Sequence, residues 1–400
     1  MSSDNRPRLR IGRRGWAGIA LGVLLLAAGY LAALVAPPWR ALDSASPAGQ
    51  AAEPAASSAA YAAGPAGADD AAAGRDDRAH EGHGRADSRT APSASGGAGS
   101  DRFQYLHPEE HHTAGLAPLP EGSVFPVEPP PRPDKPGVRE YRLVVREDIP
   151  HEVSPGVKVA AWTFNGKVPG PVLRVVEGDT IRVTLVNEGT LPHTIHFHGV
   201  HPSDMDGVFE LVPPGKSYTY EFRARPFGVF PYHCHSMPSS QHIHNGLYGM
   251  MIVDPPQPRP PRRELALIMS AFDTDRDGEA DFYTWNGRAF QYATNPVPLK
   301  VGEKVRMYVL NMFEELMAPH IHAAMFDLYP SGTSLKPSEL TDVVDLAIAE
   351  RAIMEFEYEY PGTFMFQCHI SEHMELGLMG WFKVTGEPRP EKTAEARHGG

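Results

Sequence analysis

The chain has 400 residues, 42% of them hydrophobic, with 40 Pro, 38 Gly and a formal charge of −12. That length is a soft prior for two or three domains, and the acidic balance lacks the basic patch expected of a nucleic-acid-binding surface. A disulfide between the two cysteines, Cys234 and Cys368, is possible on paper, but both sit in histidine-rich strings, a setting that suggests metal ligation instead.

In chain order, residues 1–40 come first. Arg6, Arg8, Arg10, Arg13 and Arg14 precede an uncharged run over 15–38 that includes Leu24, Leu25, Leu26, Leu31 and Val35. About 20 apolar residues suffice to cross a bilayer, and basic residues before the run favour a cytoplasmic N-terminus. Two readings stand: an uncleaved signal-anchor, or a removed export signal, with Arg13-Arg14 allowing the twin-arginine kind. Both place the rest of the chain outside the cytoplasm, in the periplasm or at the cell surface. Residues 41–135 open on an Ala/Gly/Ser/Asp/Pro tract that cannot bury enough apolar surface to fold, and they read as a linker. His80, His83, His107, His111 and His112 lie in or just after that tract.

From residue 136 the pattern turns to short β-type runs, at 141–145, 157–164, 180–186, 217–222 and 249–253, separated by turn pairs such as Asn165-Gly166 and Pro214-Gly215. This is the form of a Greek-key sandwich. After a Pro/Arg-rich joint at 255–262, a second series follows at 264–270, 305–310, 352–358 and 380–384. The two series repeat one another. Val176-Glu177-Gly178-Asp179 corresponds to Val301-Gly302-Glu303-Lys304, each half then carries a His-x-His, and each closes with a Cys-His pair and a Gly-Leu. The expected fold is all-β: two Greek-key β-sandwich domains over 136–256 and 257–388, with a short tail at 389–400. Asp273-Thr-Asp275-Arg-Asp277-Gly278 resembles the start of a calcium loop. Thr284 stands where a Glu would be needed and the flanks read as strands, so a polar turn is expected.

The histidine strings carry the chemistry. In His193-Thr-Ile-His196-Phe-His198-Gly199, strand alternation puts His196 and His198 on one face and His193 on the other. In His233-Cys234-His235, the two imidazoles share a face and the thiol points away. The strings sort into two sets. His193, Cys234 and His242 form a His₂Cys set, the donor chemistry of a blue-copper electron-transfer site. His196, His198, His233 and His235 form a four-imidazole set. The second half repeats this with His320-Ile-His322 and Cys368-His369 plus His373, but Gln367 replaces His233 and Met317 replaces His193.

These motifs resemble the two-domain multicopper oxidases, relatives of laccases and copper nitrite reductases, over residues 140–385. The resemblance implies cupredoxin-like domains and copper as cofactor, with a type 1 site in the first domain and a type 2/type 3 cluster. It also implies a small-molecule or metal-ion reductant, with dioxygen reduced to water. A homotrimer, with the cluster built between neighbouring chains, is expected on the same ground. Carried over residue by residue, His193, Cys234 and His242 look like type 1 ligands, with Leu247 in the axial Met position and Met250 as an alternative. His196, His198, His233, His235, His320, His322 and His369 look like seven of eight cluster ligands; either His373 is the eighth or the cluster is incomplete. Cys368 with His373 lacks a second blue-site imidazole because Met317 stands in that place, and the pair reads as a degenerate blue site or, together with Met317, as a second copper site. Asp206 is a candidate proton relay, expected near His198, or else a turn-stabilising carboxylate. A copper nitrite reductase and a non-enzymatic electron carrier are the competing functions. Resemblance to the reductases predicts an Asp where His196 stands.

Overall fold

The structure is a computed structural model, and it describes residues 116–119 and 126–389. The expectations for residues 1–40, for the histidines at 80–112 and for the 390–400 end lie outside the described residues. Among the described residues no helix is long and apolar enough to cross a membrane.

The first sandwich contains β1 (Val138–Ser154), β2 (Val157–Phe164), β3 (Leu173–Val176), β4 (Thr180–Asn187), β5 (His196–Phe197), β6 (Ser217–Arg223), β7 (Gly228–His233) and β8 (Tyr248–Asp254). The second contains β9 (Arg263–Phe272), β10 (Phe282–Trp285), β11 (Asn295–Lys300), β12 (Val305–Asn311), β13 (Pro319–Ile321), β14 (Phe326–Pro330), β15 (Glu339–Thr341), β16 (Arg351–Phe356), β17 (Gly362–Cys368) and β18 (Met379–Thr385). The sheet orders are β2-β1-β4-β6 and β3-β8-β7-β5 in the first, β10-β9-β12-β16-β14-β15 and β11-β18-β17-β13 in the second. Strand for strand the second repeats the first, with the β14–β15 hairpin added at one edge. The repeat seen in the sequence is therefore a repeat of topology.

Burial follows strand alternation. In β4, Ile181, Val183 and Leu185 are fully buried while the residues between them are half-exposed, so this strand covers one core only. Strands β8 and β12 are buried throughout. Each faces its own sandwich core with one set of side chains (Met251 and Val253; Val305, Met307 and Val309) and the other sandwich with the alternate set (Met250 and Ile252; Tyr308 and Leu310). A continuous apolar run is what a strand needs when both its faces are covered.

The joint between sandwiches carries buried charge. Arg174 forms a two-bond fork with Asp254 at 2.8 and 3.0 Å and reaches Glu264 at 2.6 and 2.9 Å, and Tyr308 donates to Glu264 at 2.7 Å. Removing one member of such a buried set typically costs about 3–5 kcal/mol, because the partner charge is stranded. The network fixes how the two sandwiches meet. The end of the stretch expected as linker also belongs to the fold: Val127 is buried in the second core and its carbonyl accepts from Ala266, while Arg132 donates to the carbonyls of Pro255 and Pro256.

Asp179, wholly buried before β4, gathers the start of β1. Its carboxylate accepts from Gly137 N at 2.7 Å, Val176 N at 3.0 Å and Arg139 Nε at 3.0 Å. Burial alone would raise this carboxyl, but those donors outweigh it and hold it below its ordinary value of 3.8. A depressed folded-state value contributes stability above the unfolded value, and that contribution is lost as pH falls through the folded value. Asp179→Asn is thus expected to lower stability by about 1–3 kcal/mol at pH 7. Urea unfolding checks this: the gap between variant and wild type should narrow as the pH is taken below 4, and an equal gap at both pH values contradicts it.

Candidate metal centre

The first candidate centre lies inside the first sandwich, where β7 runs into Cys234. His193, Cys234 and His242 are 0%, 0% and 3% exposed. Cys234 Sγ stands 3.2 Å from His242 Nδ1 and 3.7 Å from His193 Nδ1, and the two Nδ1 atoms are 3.2 Å apart. His193 is held by a bridge to Val212, and His242 by the short helix α1 (Ser239–His244). The loop after α1 closes the ring of backbone bonds, with Leu247 N donating to the His242 carbonyl and Cys234 N to that of Leu247.

Tautomer and charge follow from the partners. Glu147 accepts from His193 Nε2 at 2.8 Å and also from Thr190 and Leu191. Burial would raise the Glu147 carboxyl, but the bonds from Thr190, His193 and Leu191 outweigh it and hold it at about 2. An ionised carboxylate only accepts, so Nε2 carries the proton and Nδ1 presents its lone pair to the centre. Burial, with His193 next to it, pushes His242 down to about 4. Both rings are therefore neutral at pH 7. Trp162 packs edge-on against both, with centroids 5.7 and 4.8 Å away. Two neutral imidazole nitrogens and a thiol converging in an apolar, water-excluding pocket fit a soft, trigonally bound copper. Leu247 is fully buried in the same core as Cys234, whereas Met250 faces the other sandwich, which removes Met250 as an alternative fourth group.

The imidazole set lies on the opposite face of the same ribbon. β5 pairs with β7 so that His196 faces His233 across the strands. His198 Nε2 and His233 Nε2 are 3.3 Å apart, and donor atoms of His196, His198 and His233 lie within 4.8 Å of one another. His235 joins through ring contacts, 5.6 Å from His196 and 6.1 Å from His233. His196 Nδ1 donates to the Asp206 carbonyl at 2.8 Å and His233 Nδ1 to the Cys234 carbonyl at 3.0 Å, so Nε2 of each ring is the nitrogen available to a metal. Burial first, then the neighbouring imidazoles, lowers His198 to about 3, and burial lowers His233 to about 4. Neutral nitrogens so gathered are the deprotonated state that metal binding requires.

Asp206 sits against His196 rather than His198. Its Oδ1 is 3.1 Å from His196 Nδ1 and 3.9 Å from His201 Nε2. Gly207 makes this approach possible: it has φ +77°, and a Cβ there would overlap the Ile195 carbonyl. His201 and Glu147 were not anticipated. His201 lies three residues past His198 in the motif string, whereas Glu147 lies 46 residues before its partner and leaves no local signal.

In the second sandwich, His320, His322 and His369 form their own group, with His320 centroids 4.8 Å from His322 and 5.1 Å from His369. His320 Nδ1 donates to the Asp342 carbonyl at 2.7 Å, repeating the His196–Asp206 bond, and His320 pairs with Gln367 as His196 pairs with His233. Gln367 Oε1 is buried without a hydrogen-bond partner. His373 does not join this group. It is buried on the thiol side, with Nδ1 3.5 Å from Cys368 Sγ, because the short helix that carries it turns it there, which excludes it as an eighth cluster imidazole. The Asp273 loop joins β9 to β10 as an acidic turn closed by bonds from Thr274 to Asp281 and from Arg276 and Gly278 to Asp273, as expected.

Cys234→Ser is expected to abolish the intense visible absorption of the copper-loaded protein and to lower its copper content by one ion per chain. Absorption spectra and metal analysis check this, and an unchanged spectrum contradicts the assignment of the thiolate.

Comparison with known proteins agrees with this geometry. Sequence models of the family described as multicopper oxidase match residues 147–258 and 258–388. A solved multicopper oxidase is 43% identical, with a TM-score of 0.61 over 62% of this chain and 89% of that one. A copper nitrite reductase structure from Nitrosomonas europaea is 32% identical, with a TM-score of 0.58 over 64% of this chain and 96% of that one. The copper-containing nitrite reductase of Neisseria gonorrhoeae is 31% identical over 59% of this chain, and the match spans 66% of that relative's length. With both domain models matched in tandem across its two cupredoxin-like sandwiches, the chain belongs to the multicopper oxidase family and is a copper protein.

Proposed function

We propose that the protein is a laccase-like oxidase that takes single electrons from a reductant, a phenolic compound or a metal ion, and reduces dioxygen to water. The observation that carries this reading is the four-imidazole face of β5 and β7. His196 occupies the place where resemblance to the nitrite reductases predicts an aspartate, and His235 adds a further nitrogen. Copper held by these donors supplies one-electron redox chemistry at the thiolate and multi-electron chemistry at the imidazoles. His193, Cys234 and His242 hold the electron-entry site dry and rigid.

Cys234 then provides the path. Peptide bonds join it to His233 and His235, and its carbonyl accepts from His233 Nδ1 at 3.0 Å, so the route from Sγ to the far face is both covalent and hydrogen-bonded. Four electrons and four protons take dioxygen to two waters. Asp206, half-exposed and 3.1 Å from His196 Nδ1, is the proposed relay of protons from solvent to the imidazole face.

His322 and His369 are exposed on the second sandwich, and the His320 group is separate from the His196 group within one chain. A neighbouring copy that lays its second sandwich on the first sandwich's imidazole face would bring seven imidazoles together, which supports association of copies, the homotrimer being what the family resemblance implies. The basic-then-apolar start of the sequence supports a membrane-anchored or exported protein working outside the cytoplasm.

Nitrite reduction is the second reading, favoured by the relatives that bear that name. Oxygen uptake with phenolic and Cu(I) reductants, set beside anaerobic nitrite consumption, separates the two. The oxidase reading expects oxygen uptake that falls in His196→Asp by at least the roughly 10–100-fold that disturbing even a ligand's hydrogen-bond partner costs. Nitric oxide release from nitrite with no oxygen uptake contradicts it.

A further inference from the structure

We propose that the second sandwich holds a metal site of its own, formed by Cys368, His373 and Met317, which takes monovalent copper. The backbone frame of the first thiolate centre is reproduced there bond for bond. Leu378 N donates to the His373 carbonyl at 2.9 Å and Cys368 N to the Leu378 carbonyl at 3.0 Å, as Leu247, His242 and Cys234 do in the first sandwich. Ala318 N donates to Cys368 Sγ at 3.2 Å where Thr194 N approaches Cys234 Sγ at 3.5 Å. Met317 bridges to Leu346 as His193 bridges to Val212.

The three side chains are buried together, and the imidazole faces the thiol. Cys368 and Met317 are both 0% exposed and share one core, and His373 is 5% exposed. Nδ1 of His373 faces the thiol at 3.5 Å, while its Nε2 lies 3.2 Å from a carboxylate oxygen of Glu315. Tyr283 stacks on the His373 ring at 3.9 Å and donates to the same Glu315 oxygen at 2.7 Å. An imidazole locked by a carboxylate on one nitrogen and aimed at a buried thiol with the other has the arrangement that fixes a metal-binding histidine. Here Glu315 stands where Glu147 stands in the first sandwich, and Tyr283 stacks flat on the ring where Trp162 meets its histidines edge-on.

Met317 decides which ion. Replacing an imidazole by a thioether leaves one thiolate, one thioether and one nitrogen, a soft donor set that selects Cu(I). The site therefore retains copper without contributing blue colour. Glu315 is half-exposed beside it and gives an ion a route in from the surface.

The test titrates the reduced full-length chain with Cu(I) under anaerobic conditions against a competing Cu(I) chelator. Cys368→Ser is expected to retain one Cu(I) fewer per chain than wild type. In a second arm, Met317→His is introduced beside Cys234→Ser. It is expected to restore a His₂Cys set in the second sandwich and return intense visible absorption to a protein that Cys234→Ser alone leaves colourless. Unchanged Cu(I) retention in Cys368→Ser, or a folded double variant without colour, overturns the proposal and leaves Cys368 and His373 as a thiol–imidazole hydrogen bond.

Discussion

One constraint organises the molecule: successive side chains of an extended chain point to opposite faces. At His233-Cys234-His235 that rule places a thiol in the apolar core and two imidazoles on the other side within three residues. The rest of the site follows from where the faces lead. The inward face is dry, so its histidines are neutral and His193 needs the Glu147 carboxylate to fix its proton. The other face is partly open, and there the imidazoles take their orientation from carbonyls, those of Asp206 and Cys234. One ribbon can thus hold two chemically different centres in fixed relation, with no moving part between them.

The second sandwich shows how far the frame can outlast its side chains. Topology, the His320–Asp342 bond and the Cys–Leu–His backbone ring are all retained, whereas His233 has become Gln367 and His193 has become Met317. The first change leaves a buried carbonyl oxygen without a partner beside His320, a polarity that an apolar replacement would not keep. The second puts a thioether where the first sandwich has an imidazole, a change toward softer donors. The rigid joint made by Arg174, Asp254 and Glu264 ties these two diverged copies into one body.

Much of this is legible in the sequence because it depends on local period. The all-β class, the twofold repeat, and the separation of Cys234 from His233 and His235 all rest on alternation over a few residues. The Leu247 position is readable too, since the turn after His242 is short. What escaped depends on contacts between distant segments. Glu147 reaches His193 from another strand, and the tail of the expected linker was assigned by composition although Val127 alone suffices to pin it to the second core. Nearness in sequence puts Asp206 beside His198, but Gly207 folds the chain so that the carboxylate meets His196. Spacing after a Cys-His pair leaves His373 open to either the cluster or the thiol side. The short helix α2 (Ser371–Glu375) turns it toward the thiol, just as α1 turns His242.

The central claim is that Cys234 and its two flanking histidines serve different ions on opposite faces of one strand. An anomalous-scattering map of copper-loaded crystals at the copper absorption edge tests it most directly. The account predicts one peak enclosed by His193, Cys234 and His242, and separate peaks on the far face bounded by His196, His198, His233 and His235. A single peak shared between the Cys234 sulfur and the His233 or His235 rings, or an empty pocket at Cys234, would contradict it.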